Sequence, residues 1–137
     1  SVGLEAAGLC SGLTVYAVEK NAERIADIQA NLEAEKLENF VICHGDIGDR
    51  MEDLPAPDSI FLGGGIAYLL RAFECLKPGG RLVATGILVS TAARLGSVLN
   101  ECRSELLTVN VSRAAALGEY QMWKAENPIT IAVFEKP

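Results

Sequence analysis

The sequence predicts an α/β fold, with a doubly wound, mostly parallel sheet that ends in an antiparallel hairpin. Short strand-like runs alternate with helical stretches as far as about residue 102. These runs are almost continuously apolar, which is typical of strands that are covered on both faces of a sheet. After residue 102, two more strand-like runs follow without a convincing helix between them, which favours an antiparallel pair at one edge.

The chain begins in a segment that reads as a helix rather than as a strand. Its 137 residues are half hydrophobic, which is enough for one α/β domain with a core. A doubly wound sheet normally starts with a central strand and a loop, and we expect both to be missing immediately before Ser1. We therefore interpret residues 1–137 as one N-terminally incomplete domain.

The first visible strand is predicted over residues 14–19 and ends on Glu19. Asn21 can then cap a helix that runs to about Lys36, because a short polar side chain at this position can accept from free backbone N–H groups. The helix has an apolar face at helical spacing, formed by Ile25, Ile28 and Leu32.

The second and third strands are predicted over residues 40–43 and 58–62. Gly45, Asp46 and Ile47 follow the second strand, with a short helix over 47–53. A glycine run, Gly63 to Gly65, ends the third strand.

The rest of the chain continues the same alternation. A helix follows the glycine run and stops at Pro78, because proline and the glycines after it cannot continue a helix. The predicted apolar face of this helix comprises Leu69, Leu70, Phe73 and Leu76. Residues 81–85 read as the fourth strand and 90–102 as a helix whose apolar face comprises Leu95, Val98 and Leu99. Two final strands, 106–112 and 129–134, are expected to be joined by a long loop.

Composition argues against several classes of protein. The formal charge of −6 lowers the expectation of nucleic-acid binding, since phosphate neutralisation needs a basic surface. No apolar run is long enough for a membrane span, and no secretory signal is visible. The cysteines and the single histidine lack the spacing of a metal site. We expect the four cysteines to be reduced and structural, which suits the cytoplasm.

Carboxylates follow the first two strands, where open parallel sheets bind ligands. Glu19 could accept hydrogen bonds from the ribose hydroxyls of a nucleoside cofactor, or it could be a solvated acid that helps to cap the next helix. Asp46 could accept from an adenine amine, with Ile47 offering an apolar face and a backbone N–H. The alternative for Asp46 is an ordinary N-cap.

Gly63 and Gly64 would let the backbone approach a ligand, but a tight turn explains them equally well. His44 could be a general base, although a structural role is the simpler interpretation. Arg113 and Lys124 flank the segment between the last two strands and could bind a carboxylated substrate or could be solvated cations. That segment also contains Tyr120, Met122 and Trp123, which would suit a lid over a planar ligand or a subunit contact.

The order of these features is that of class I methyltransferases. More specifically, the chain resembles the decarboxylating precorrin methylases of cobalamin biosynthesis, known as CbiT or the C-terminal domain of CobL. The resemblance spans the whole chain. It lies in the segments 15–21, 45–46 and 76–83, and above all in Ser112-Arg113-Ala114-Ala115-Ala116-Leu117-Gly118 followed by Asn127-Pro128.

The resemblance implies transfer of a methyl group from S-adenosylmethionine to C15 of a precorrin-6 type tetrapyrrole, with loss of carbon dioxide from the ring C acetate. Glu19 would bind the ribose and Asp46 and Ile47 the adenine side. Gly63 and Gly64 would lie beside the methionine part, and Ser1 would be the remnant of the cofactor's glycine-rich loop. Arg113 is expected on the substrate side.

We expect a homo-oligomer that has no nucleic-acid or membrane partner. The resemblance implies that some members are fused to a domain that methylates C5. The segment 63–66 looks shorter than the corresponding loop of the family. Two other interpretations stay open: a class I methyltransferase that acts on RNA or protein, and a non-catalytic nucleotide-binding domain. No catalytic proton donor or acceptor can be named from the sequence.

Overall fold

The computed structural model describes residues 2–137 and divides the chain into two compact units, Ser1–Pro55 and Ala56–Pro137. Unit 1 contains α1 (Val2–Leu9), β1 (Val15–Glu19), α2 (Ala22–Glu35), β2 (Phe40–His44) and α3 (Ile47–Arg50), with a 3-10 turn at Met51–Asp53. Strands β1 and β2 are parallel neighbours in register from Val15↔Phe40 to Glu19↔His44. Their carboxyl ends therefore coincide.

Helix α2 has the predicted cap and the predicted inward face. The Asn21 side chain accepts from the backbone N–H groups of Glu23 and Arg24 at 2.9 and 3.2 Å. Lys36 ends the helix in the left-handed conformation, with φ of 54°. The three predicted apolar residues, Ile25, Ile28 and Leu32, are each half-buried. They cover part of unit 1 without forming a closed core.

Asn39 ties the segment after α1 to the start of β2. Its side-chain amide donates to three backbone carbonyls, those of Ala7, Cys10 and Leu13, at 3.1, 3.1 and 2.9 Å. Ala7 lies in the last turn of α1, where helix geometry leaves carbonyls without a helical partner, and Cys10 and Leu13 lie in the turn that follows. One polar side chain thus joins the end of α1 and the following turn to the residue before β2.

Unit 2 contains β3 (Ser59–Leu62), a 3-10 turn (Ile66–Tyr68), α4 (Leu69–Cys75), β4 (Arg81–Gly86), α5 (Val89–Ser97), β5 (Arg103–Val109), β6 (Ser112–Leu117), β7 (Tyr120–Ala125) and β8 (Ile129–Glu135). Four strands form one sheet in the order β3-β4-β8-β5. The pair β3 and β4 is parallel, and β8 is antiparallel to both β4 and β5. The alternation of strands and helices and the antiparallel ending are confirmed.

The core of unit 2 lies on this sheet. The largest fully buried side chains are Phe134 on β8, Leu82 on β4, Leu69 on α4 and Leu95 on α5. At the end of α4, Lys136 donates from Nζ to the carbonyls of Glu74 and Leu76 at 2.6 and 2.7 Å. The segment after β8 therefore also closes the C-terminus of a helix.

Three local predictions for unit 2 are wrong. Leu70 is 44% exposed, because Leu69, Ala72 and Leu76 form the buried face of α4 instead. The helix predicted over 90–102 ends at Ser97, and Leu99 adopts a φ of 48°.

The third error is the long loop between the last strands, which is an antiparallel hairpin of β6 and β7. Gly118 and Glu119 form its two-residue connection, with a φ of 61° at Gly118, as a type II′ turn requires.

Candidate functional site

In unit 1, the acidic residues at the ends of β1 and β2 lie side by side. Glu19 pairs with His44 in the ladder, and the backbone carbonyl of Glu19 accepts from the N–H of Gly45 at 3.0 Å. Asp46 and Ile47 follow directly and begin α3. The parallel register therefore brings together three of the predicted cofactor residues, Glu19, Asp46 and Ile47.

The Glu19 carboxylate is held in place by its own chain. Its Oε1 accepts from the backbone N–H of Asn21 at 2.8 Å, and its Oε2 lies 3.7 Å from Nη1 of Arg24. The Asn21 N–H holds the pKa of Glu19 below its ordinary value, and Arg24 adds to the effect, while burial opposes it. The side chain is 21% exposed. The result is an oriented, ionised acceptor at a strand end.

Asp46 acts as the N-cap of α3. Its Oδ1 accepts from the N–H of Gly48 at 2.9 Å, so the capping interpretation is confirmed for this oxygen. Its Oδ2 lies 3.7 Å from Nζ of Lys20, the residue that follows Glu19. A ligand role for Asp46 would have to use the acceptor capacity that remains beside these contacts.

Gly45 shapes the turn between β2 and Asp46. Its φ is 148°, and an added Cβ would lie 2.8 Å from Nε of Arg50. That nitrogen donates to the carbonyl of His44 at 3.0 Å. A side chain at position 45 would therefore displace the arginine that fixes the end of β2. The imidazole of His44 itself belongs to an exposed residue.

In unit 2, the glycine run follows β3 as predicted. Gly63 and Gly64 form an exposed bend. An added Cβ at Gly64 would meet nothing within 4 Å, whereas one at Gly63 would lie 2.9 Å from the ring of Phe61. Gly65 follows with a φ of 65°, which favours glycine. Backbone conformation therefore explains the glycine at position 65. At Gly64, by contrast, the space that a Cβ would occupy is open.

The same sheet edge has an exposed apolar run that residue patterns alone did not predict. Because β3 and β4 are parallel, the residues after β4 lie at the edge where the glycine run lies. They are Ile87, Leu88 and Val89, which are 57%, 62% and 88% exposed. Leu88 is also the N-cap of α5 but makes no side-chain cap bond. A polar capping residue is usual at this position, so the apolar Leu88 was the signal in the sequence that could have identified the run.

The hairpin begins at this edge as well. Gly86 at the end of β4 pairs with Thr130 of β8, and Val109 at the end of β5 pairs with Ile129. The hairpin lies between these strand ends and is joined at its base by a hydrogen bond from the N–H of Glu126 to the carbonyl of Val111 at 2.8 Å. Arg113 is thus near the sheet edge that contains Gly63 and Gly64, within unit 2.

Arg113 and Lys124 are directly opposite each other in the hairpin register. Arg113 Nε lies 3.4 Å from Oε1 of Glu126, and the two side chains are 75% and 51% exposed.

Ser1, the remaining predicted cofactor residue, lies outside the described residues. Within residues 2–137, no group of three or more acidic, cysteine or histidine side chains could hold a metal ion. All four cysteines are free thiols, and only Cys10 is exposed.

Comparison with known proteins identifies the family. A family described as "Precorrin methyltransferase domain" matches residues 1–136. The chain belongs to the precorrin methyltransferase domain family. Its fold agrees with the crystal structure of the C-terminal domain of precorrin-6Y C5,15-methyltransferase from Rhodobacter capsulatus, with a TM-score of 0.90 and 28% identity over 99% of this chain and 74% of that one.

Curated precorrin methyltransferases are similar over most of this chain. A probable cobalt-precorrin-6B C(15)-methyltransferase (decarboxylating) of Sulfurisphaera tokodaii is 30% identical over 129 residues, which are 90% of this chain and 67% of that protein. A precorrin-6Y C(5,15)-methyltransferase [decarboxylating] of Sinorhizobium is 29% identical over 133 residues. The match spans 95% of this chain but only 32% of the Sinorhizobium protein.

The structural matches confirm the predicted Rossmann-like class I methyltransferase fold. Solved structures of other methyltransferases share it at lower sequence identity. Family membership confirms the resemblance that was inferred from the sequence. Among the described residues, no helix has the length and apolar character needed to cross a membrane.

Proposed function

We propose that this chain transfers a methyl group from S-adenosylmethionine to C15 of a precorrin-6 type tetrapyrrole and removes the ring C acetate carboxyl as carbon dioxide, in cobalamin biosynthesis. The observation that supports this most directly is the family match over residues 1–136. The C15-methylating name of the Sulfurisphaera relative supports the position of the methyl group.

The residues at the strand ends of unit 1 fit an adenosyl cofactor. A ribose presents neighbouring hydroxyl donors, and Glu19 is an ionised acceptor that is already oriented by the Asn21 N–H at 2.8 Å. A carboxylate has about four acceptor positions, so those contacts leave capacity for a diol. In this proposal Asp46 and Ile47 hold the adenine side.

Within unit 2, the exposed bend at Gly63 and Gly64 would admit the methionine chain of the cofactor. Open space at the Cβ position of Gly64 supports this assignment. When bound, S-adenosylmethionine supplies a methyl group that its sulfonium has already activated. The residues of the chain then have to bind, orient and exclude water, and positioning can supply much of the rate.

For the substrate, the chain offers both an apolar surface and a cation. Ile87, Leu88 and Val89 present exposed apolar side chains at the sheet edge. Arg113, on the hairpin that leaves this edge, offers a planar fork that matches a carboxylate. A tetrapyrrole with peripheral carboxylates has both complementary features. An RNA substrate would need a basic channel, and the chain has a net charge of −6.

The cofactor assignment is tested by calorimetry with S-adenosylhomocysteine on the intact natural protein that contains this chain. We expect binding by the unaltered protein and by Glu23→Ala, since Glu23 is an exposed acid on the first turn of α2. Loss of affinity is expected for Glu19→Ala. If the unaltered protein does not bind S-adenosylhomocysteine, the methyltransferase proposal is wrong.

The substrate assignment is tested by turnover on a precorrin-6 type tetrapyrrole, with released carbon dioxide as the readout. Methyl transfer and carbon dioxide release in equal amounts would support both halves of the proposal. Cofactor binding without turnover would favour a non-catalytic nucleotide-binding domain. Methylation of RNA or protein in the same assay would favour the other class I enzymes.

Self-association, a cytoplasmic location and fusion to a C5-methylating domain complete the proposal. Exposed Leu117, Tyr120 and Trp123 on the hairpin support self-association, because a two-stranded hairpin alone is marginally stable. Free thiols suit a reducing compartment. Fusion rests on the greater length of the Sinorhizobium relative. Sedimentation of the intact protein tests self-association, and the mass of its polypeptide tests the fusion.

A further inference from the structure

The two faces of the β6–β7 hairpin differ in chemistry. Residues opposite each other in an antiparallel pair project from the same face, and successive residues alternate. The cationic face, as we name it, is formed by three cross-strand pairs: Arg113↔Lys124, Ala115↔Met122 and Leu117↔Tyr120. The opposite face has Ser112↔Ala125, Ala114↔Trp123 and Ala116↔Gln121 and contains no charge.

The pair at the base of the cationic face is unfavourable by itself. Like charges directly opposite each other destabilise a sheet. Glu126 neutralises only one side of the pair, at 3.4 Å from Arg113 Nε. In the part of the chain that the structure describes, no carboxylate lies within ion-pair distance of Lys124. An anion that spans both cations would remove the repulsion.

Apolar side chains continue the same face toward the tip. Met122 is 48% exposed, Leu117 59% and Tyr120 76%. Met122 is two residues from Lys124, so the cation and the thioether are adjacent on the face. The surface therefore combines a positive end with an apolar stretch, which complements an amphipathic anion better than a fully solvated one.

We propose that Lys124 is a substrate-positioning residue that shares one peripheral carboxylate of the tetrapyrrole with Arg113, while Met122 contacts the ring system. This inference rests on the proposed function, and it adds Lys124 and the cationic face to the proposed substrate site. The two cations hold one carboxylate at the base of the hairpin, and the macrocycle extends along the apolar part of the cationic face. Lys124 takes no part in bond making or breaking.

The test uses Lys124→Ala and Lys124→Glu in the intact natural protein, with Gln121→Ala as the matched control on the opposite face. Binding is followed by the absorbance change of the probes themselves, uroporphyrin III and coproporphyrin III, of which the second has fewer carboxylates. An exposed ion pair is worth little, so we expect about two- to five-fold weaker uroporphyrin binding for Lys124→Ala. Lys124→Glu should weaken it further, and Lys124→Arg should restore it.

Turnover gives the second readout. Lys124→Ala should raise KM for the precorrin at nearly constant kcat and leave the affinity for S-adenosylhomocysteine unchanged. Its binding of porphyrin should also depend less on salt than that of the unaltered protein. Gln121→Ala should match the unaltered protein in each measurement.

The outcomes separate this inference from the proposed function. If the unaltered protein binds S-adenosylhomocysteine and turns over precorrin, but Lys124→Glu changes neither KM nor porphyrin affinity, only the role of Lys124 is wrong. A change in sedimentation with unchanged porphyrin affinity would overturn it in favour of a contact between copies of the chain. Absence of S-adenosylhomocysteine binding would instead overturn the proposed function.

Discussion

The strand ends of unit 1 and the hairpin of unit 2 present their charged groups in opposite ways. Glu19 is 21% exposed and oriented by a backbone N–H, and Asp46 is fixed by capping α3. The hairpin residues are almost all exposed, and only Ala115 is half-buried. Binding costs less where side chains are already ordered. In the proposed function, the cofactor side would therefore be preorganised, whereas the exposed side chains of the hairpin would have to be ordered when substrate binds.

The largest expected effect is on the free energy of unfolding, and it distinguishes the sheet core from the hairpin. Phe134→Ala removes a fully buried ring and should lower the free energy of unfolding by about 3–5 kcal/mol. Trp123→Ala removes a larger side chain that is 75% exposed, and should change it by less than about 0.5 kcal/mol. Urea unfolding of both variants measures this difference. A cost for Trp123→Ala comparable to that for Phe134→Ala would show that the hairpin is covered by a partner surface.

The second effect concerns the preorganised acceptor. Glu19→Ala should weaken S-adenosylhomocysteine binding by about 1–3 kcal/mol, because the ribose donors lose their charged acceptor. Calorimetry against Glu23→Ala measures this loss. Equal affinity for the two variants would remove Glu19 from the cofactor site.

The third effect separates capping from ligand binding at Asp46. Asp46→Ala should destabilise the protein by about 0.5–2 kcal/mol through loss of the cap on Gly48, whereas Asp46→Asn keeps an acceptor oxygen and should cost much less. Thermal unfolding measures both. If Asp46→Asn nevertheless weakens S-adenosylhomocysteine binding, the negative charge contributes to the cofactor site. Unchanged affinity would restrict Asp46 to the helix cap.

The smallest effect is a pH dependence at Glu19. The pKa of Glu19 is lowered on folding, so the ionised form contributes stability above its ordinary value of 4.5, and this contribution is lost as the pH falls through the folded pKa. Glu19→Gln should therefore be less stable than the unaltered protein at neutral pH, and the difference should shrink in acid. Unfolding curves at neutral and acidic pH test this. A difference that grows in acid would contradict the stated direction.

Unit 1 could be predicted from the sequence in more detail than unit 2. Asn21 and Asp46 are short polar residues in front of helices, and local chemistry fixed their capping roles. The hairpin was missed because its strands consist largely of alanine and polar residues, which lack the alternation that identifies a strand. The two-residue connection Gly118-Glu119 was the remaining signal. The pairing of Arg113 with Lys124 depends on register, which residue spacing alone did not reveal.

The central position of β8 has a consequence for the order in which the protein forms. Among the described strands this one comes last in sequence, yet it lies between β4 and β5 and contains the buried Phe134. During synthesis, β4 and β5 emerge from the ribosome without the neighbour that joins them, so the sheet of unit 2 cannot close until residues 129–135 are free. Pairings that are distant in sequence form slowly, and unpaired edges invite association with other chains. Formation of the unit 2 sheet therefore depends on the most C-terminal of its strands.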